Sequence, residues 1–194
     1  MNKINILVTA GIYPSNKHPQ LGSFIKESVE AFKSYDSINV FLAVAYSFPF
    51  NPVLTFIKHF MVFIKIIFGI IKHKPDLIIA HTLFPSGLIA LIAAKIFNKK
   101  IIIFAHGGDV YGMSKKKATL WKNENMDLFW RIRFYLINYI INNSDGIIYV
   151  SNYLYDFARK YFDVISTKSL VSPIGYNPEK FKLKVPYKSR DKIL

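Results

Sequence analysis

Runs of apolar residues too continuous to alternate between core and water recur along this chain, separated by stretches with helical spacing. "KINILVTA" (3–10), "INVFLAVA" (38–45), "DLIIAH" (76–81), "KIIIFAH" (100–106), "DGIIYV" (145–150) and "KSLVSPIG" (168–175) read as six strands. Between them, 22–35, 52–74, 85–97, about 117–142 and 152–162 read as helices. In the first of these, Phe24, Ile25, Val29 and Phe32 share one face. Strands that are apolar throughout and alternate with helices need cover on both faces, which is the situation of a parallel sheet. The expected fold class is therefore α/β, a Rossmann-like doubly wound parallel sheet of about six strands.

In such sheets ligands bind beyond the carboxyl ends of the strands. That rule selects the loops at 10–22, 81–86, 105–114, 151–153 and 172–177. The third is "FAHGGDVYG" (104–112), which places His106, Gly107, Gly108 and Asp109 directly after the fourth strand. An imidazole there donates a hydrogen bond or titrates near neutrality. The two glycines let a ligand approach backbone amides, and the carboxylate either accepts from sugar hydroxyls or starts a helix. His81 repeats this placement at the end of the third strand, as a ligand contact or as a satisfied core histidine. Gly22 and Ser23 open the first helix, where free amides and the helix dipole favour phosphate. Ser151 follows the fifth strand and has the chemistry of a helix N-cap. No GxGxxG follows the first strand, and neither a Walker loop nor a cluster with metal-ligand spacing is present in the sequence, so no cofactor or metal is expected.

The formal net charge is +14, from 26 Lys and Arg against 12 Asp and Glu. This favours anionic partners, but no nucleic-acid recognition motif accompanies the charge and none is expected as a partner. Cysteine is absent, which excludes disulfides and thiolate metal sites. The helix at 53–73 carries Lys58, Lys65 and Lys72 at seven-residue spacing, one stripe on a largely apolar cylinder. A lysine would fall near mid-bilayer if this helix spanned a membrane, which is costly. Two arrangements remain: a helix packed on the sheet with its stripe in water, or one lying at an anionic membrane surface with lysine stems extended toward phosphates. Lys115, Lys116 and Lys117 beside Trp121 add a second basic cluster with the same affinity.

Five segments, in order, resemble the N-terminal half of the family 4 retaining glycosyltransferases of GT-B fold. They are "YPSNKHPQLGSFIKESVEAF", "PDLIIAHTLFPSGLIALIAAKIF", "FAHGGDVYG", "SDGIIYVSNYL" and "SPIGYNPEKF". Leu21-Gly22 stands where the family often has Gly-Gly, Gly108 where Ser or Thr is common, and Ile174 and Asn177 where the usual hinge has Asn and Asp. The resemblance implies transfer of a sugar from a nucleotide-sugar donor to a hydroxyl acceptor with retained configuration and usually without metal. It implies His106 and Asp109 as catalytic residues. Gly22, Ser23, His81, Gly107, Gly108 and Ser151 are the candidate substrate-binding residues. It also divides the chain into an acceptor-side domain over 1–180 and a linker over 181–194 that leads toward a donor-binding domain, so that this chain alone is expected to be inactive. A basic, apolar surface suits a lipid-linked acceptor at the inner leaflet.

Overall fold

The computed structural model describes residues 3–46, 51–111 and 128–175. Its six strands are β1 (Ile4–Ala10), β2 (Ile38–Val44), β3 (Leu77–His81), β4 (Lys100–Ala105), β5 (Gly146–Tyr149) and β6 (Ser169–Val171). All neighbours pair in parallel, in the order β2-β1-β3-β4-β5-β6. The helices are α1 (Ser23–Lys33), α2 (Pro52–His73), α3 (Leu88–Ile96), α4 (Gly108–Tyr111), α5 (Leu128–Asn143) and α6 (Asn152–Tyr161). The expected doubly wound sheet is the observed architecture.

The two faces are covered unequally. Leu7, Ile78, Ile101, Ile103 and Ile147 point into one large core with α2, α3, α5 and α6. On the other face Ile6, Val8 and Ile79 meet Val29 of α1, and Ala10 and Val44 meet Ile25. Beyond α1, that face carries Phe104, Ile148 and Leu170 along a cleft.

Local chemistry sets the boundaries. Asn51 caps α2 by accepting from the amides of Val53 and Leu54 at 2.9 and 3.3 Å, with Pro52 in the first turn, where its missing N–H is harmless. Gly69 lies where α2 crosses β1: a Cβ there would stand 2.9 Å from Leu7 Cδ1, so the helix sits this close only because the side chain is absent. The helix expected from 85 begins instead at Leu88, because a tight turn over Leu83–Gly87 precedes it, with Phe84 in extended geometry. The last strand is three residues long rather than eight. It pairs only with Ile147–Tyr149, and Pro173 has no N–H to extend the ladder.

Candidate functional site at the carboxyl edge of the sheet

Because every strand runs the same way, the ends of β1, β3, β4 and β5 form one edge. β3 and β4 pair with His81 opposite Phe104, and His106 follows two residues later. The imidazoles of His81 and His106 meet there, Nδ1 of His81 lying 3.0 Å from Nε2 of His106. Phe104 stacks on His81 with centroids 4.9 Å apart. Phe24, in the first turn of α1, lies 4.5 Å from the His106 ring. The pair is therefore held between a strand aromatic and the start of a helix. Burial pushes His81 down to about 3, with the neighbouring imidazole adding to the effect, and His106 down to about 4. Both rings are neutral at pH 7, so one donates to the other. Among the described residues, His81 Nε2 and His106 Nδ1 are buried without a partner.

Asp109 does not face the cleft as a free carboxylate. Its Oδ2 accepts from the Leu83 amide at 2.7 Å, and its Oδ1 accepts from the amides of His106 and Gly107 at 3.1 and 2.9 Å. It is buried, and desolvation raises its carboxyl above the ordinary range while these amides oppose the rise. Its oxygens tie the loop after β4 to the turn after β3, a positioning role that the sequence pattern alone did not separate from a catalytic one. Gly107 has φ 109° and is buried with its amide held by Asp109, whereas Gly108 is exposed and, among the described residues, nothing lies within 4 Å of a Cβ there.

Gly22 and Ser23 stand at the start of α1 as expected. Gly22 adopts a left-handed φ of 70°, a Cβ there would meet Ile12 O at 2.9 Å, and no side chain caps the helix. This uncapped N-terminus adjoins His106 through Phe24. Ser151 is an N-cap, its Oγ accepting from the Leu154 amide at 3.2 Å. Lys17 and His18 of the first loop are exposed.

α2 packs on the sheet through Val62, Ile66 and Ile70, and Lys65 and Lys72 of its lysine stripe are exposed, as in the first of the two arrangements expected. Around α2, Lys58, Lys65 and Lys72 lie along one margin of the helix, and the face turned away from the sheet is apolar. The Lys65 ammonium donates to Val44 O at 2.9 Å, turned in toward the sheet edge. Burial lowers the Lys58 ammonium. Phe56 is 74% exposed, Phe68 64% and Ile71 60%, with Phe60, Met61 and Ile64 between them. Lys115, Lys116 and Lys117, and the linker over 181–194, lie outside the described residues.

One site residue escaped sequence reasoning. Arg133 of α5 reaches back to the His106 loop, its Nη2 donating to Gly108 O and Asp109 O at 3.4 Å each. The signal was available in "FWRIRF", two arginines among aromatic and aliphatic residues at the start of a helix with no acidic residue.

Comparison with known proteins agrees with this fold. No curated protein matches the chain by sequence. Among solved structures, sucrose-phosphate synthase from Thermosynechococcus elongatus superposes with a TM-score of 0.65 at 14% identity, over 91% of this chain and 49% of that one. UDP-N-acetylglucosamine 2-epimerase from Rickettsia bellii gives 0.55 at 13%, over 89% and 45%. The UDP-GlcNAc 2-epimerase from Neisseria meningitidis bound to UDP-GlcNAc gives 0.53 at 10%, over 87% and 46%. The chain thus spans about half the length of these structures and shares the fold of their corresponding half. The sequence pattern described as Glycosyltransferase Family 4 matches residues 27–180. By that match, the chain belongs to glycosyltransferase family 4 and forms its N-terminal GT-B domain.

Proposed function

We propose that this chain is the acceptor-side half of a retaining glycosyltransferase. The reaction transfers a sugar from a nucleotide-sugar to a hydroxyl on a lipid-linked or polysaccharide acceptor in envelope or exopolysaccharide synthesis. The observation that carries this reading is the neutral His106 ring, fixed by His81 and set between an uncapped helix N-terminus and the exposed Gly108. In the reaction the bond from the sugar C1 to the diphosphate breaks and its electron pair leaves with the nucleoside diphosphate. The acceptor oxygen bonds to C1, and its proton passes to the departing phosphate. The charge that develops is negative, and the amides at the start of α1 are preorganised donors for it. With Nε2 engaged by His81, His106 Nδ1 is the ring atom left to hydrogen-bond a sugar hydroxyl, without an opposing charge.

The neighbours in the fold include proteins solved with UDP and UDP-GlcNAc, so UDP-sugars are the first donors to test. In a longer protein that joins this chain to a donor-binding domain, His106→Ala is expected to abolish sugar transfer while the fold persists. Unchanged turnover would remove His106 from the mechanism. The 194-residue chain alone is expected to transfer no sugar.

A second reading, a fold-retaining module that acts by lying on an anionic membrane, is favoured by the apolar outer face of α2. It is also compatible with the first, since an enzyme acting on a lipid-linked acceptor works at the inner surface of the membrane.

A further inference from the structure

Between α2 and α3, at the end nearest the site, lies an apolar groove of ≈ 690 Å³. Phe56, Phe60, Phe84, Ile89, Ile92 and Phe129 form half of its lining. His59 lines it too and leads into the site: a Cβ on Gly11, the residue after β1, would stand 3.1 Å from His59 Nε2 and 2.6 Å from Ser86 Oγ. At the Phe84 wall sits Arg133, its guanidinium carbon 5.7 Å from the Phe84 ring centroid and 5.1 Å from that of Trp130. Among the described residues its Nε is buried without a partner and no carboxylate forms an ion pair with it.

We propose that this groove seats the hydrocarbon chain of a single anionic amphiphile, with its phosphate at Arg133 and its reacting end toward the loop of His106. Charge decides the occupant. α2, the turn over Leu83–Gly87, α3 and α5 carry no Asp or Glu, whereas Lys58, Arg131 and Arg133 are cationic. A half-buried cation with an unfilled donor at the end of an apolar channel complements a phosphate attached to a hydrocarbon. A polypeptide would bring amides and carbonyls that this aromatic and aliphatic lining leaves unpaired. Calling the amphiphile an acceptor rests on the transferase reading, but its binding does not.

The test therefore reads binding by the 194-residue chain, without a donor. In a Trp121→Phe background, Trp130 is the sole tryptophan and reports the Arg133 end of the groove. The probe is dodecyl phosphate below its micelle concentration, compared with dodecyl maltoside and with inorganic phosphate. Dodecyl phosphate is expected to saturate the signal at least tenfold more tightly than either. Ile92→Glu, in the groove wall, should weaken it at least tenfold. Arg133→Met should erase the preference over the maltoside while keeping the hydrocarbon contribution, and Leu170→Glu on the opposite face should change nothing. Equal binding of the two detergents by the parent, or full binding by Ile92→Glu, would overturn the proposal. So would a dimer in sedimentation that excludes the probe, or binding to anionic vesicles with none to monomeric dodecyl phosphate. Transfer that depends on His106 with no probe binding would sink this site and leave the enzyme reading standing.

Discussion

His81 and His106 share one hydrogen bond across the end of the sheet, 3.0 Å long, although 25 residues separate them in sequence. Neither ring is protonated at neutral pH, because both are buried. In the unfolded chain each would titrate near 6.5. The folded state therefore binds fewer protons than the unfolded one in acid. Stability from this source is complete above about pH 6.5 and declines as pH falls toward 4. One such group lowers stability by on the order of 2 kcal/mol between pH 7 and pH 5. Thermal melts across this range should show the decline. His81→Phe, able to stack on Phe104, should flatten it, and an unchanged slope would mean that other groups dominate.

Asp109→Ala should destabilise the domain strongly. It leaves three amides without their acceptor in a buried place, each costing about 1–3 kcal/mol where water cannot replace it. Chemical denaturation is expected to show a loss of at least about 3 kcal/mol. A loss under about 1 kcal/mol would return Asp109 to the cleft as a free group.

Gly22→Ala should cost about 1–3 kcal/mol, since φ of 70° strains any other residue and the new Cβ would press on Ile12 O. It should also disturb the start of α1, and with it the ring contact of Phe24 on His106. A neutral result in urea titration would show that the loop after β1 relaxes freely.

Ser151→Ala removes the Oγ that caps α6 and should cost about 1 kcal/mol. In a complete enzyme, a fall in kcat/KM larger than that loss of stability explains would show a contact with substrate in addition to the cap.

The outer face of α2 should bind anionic vesicles. Ile64→Asp with Phe68→Asp is expected to reduce co-sedimentation at least tenfold at both low and high salt. Changing Lys58, Lys65 and Lys72 to Glu should remove only the salt-sensitive part, because the lysines flank the apolar face. Full binding by the aspartate variant would move the contact elsewhere.

Strand and helix placement was readable because a parallel sheet buried on both faces demands unbroken apolar runs, and "KINILVTA" and "KIIIFAH" satisfy that demand without help from distant residues. His106 was readable because its run ends on it. The partnership with His81 was not, since it depends on the β3–β4 register that puts His81 beside Phe104. Arg133 comes from a helix that follows β4, and no local pattern ties it to Gly108. The lysine spacing on α2 was correct as periodicity. Which side of the helix met the sheet depended on tertiary packing, on Val62, Ile66 and the close approach at Gly69.

The strand order has a consequence for how the domain is made. After β1 and β2 pair, β3 joins the free side of β1, and β4, β5 and β6 then add one after another in chain order. No strand has to be inserted between two that are already paired. As the polypeptide leaves the ribosome, the sheet can grow by one strand at a time at a single open edge. Its two histidines are then brought together as soon as β4 docks, before β5 and β6 join the sheet.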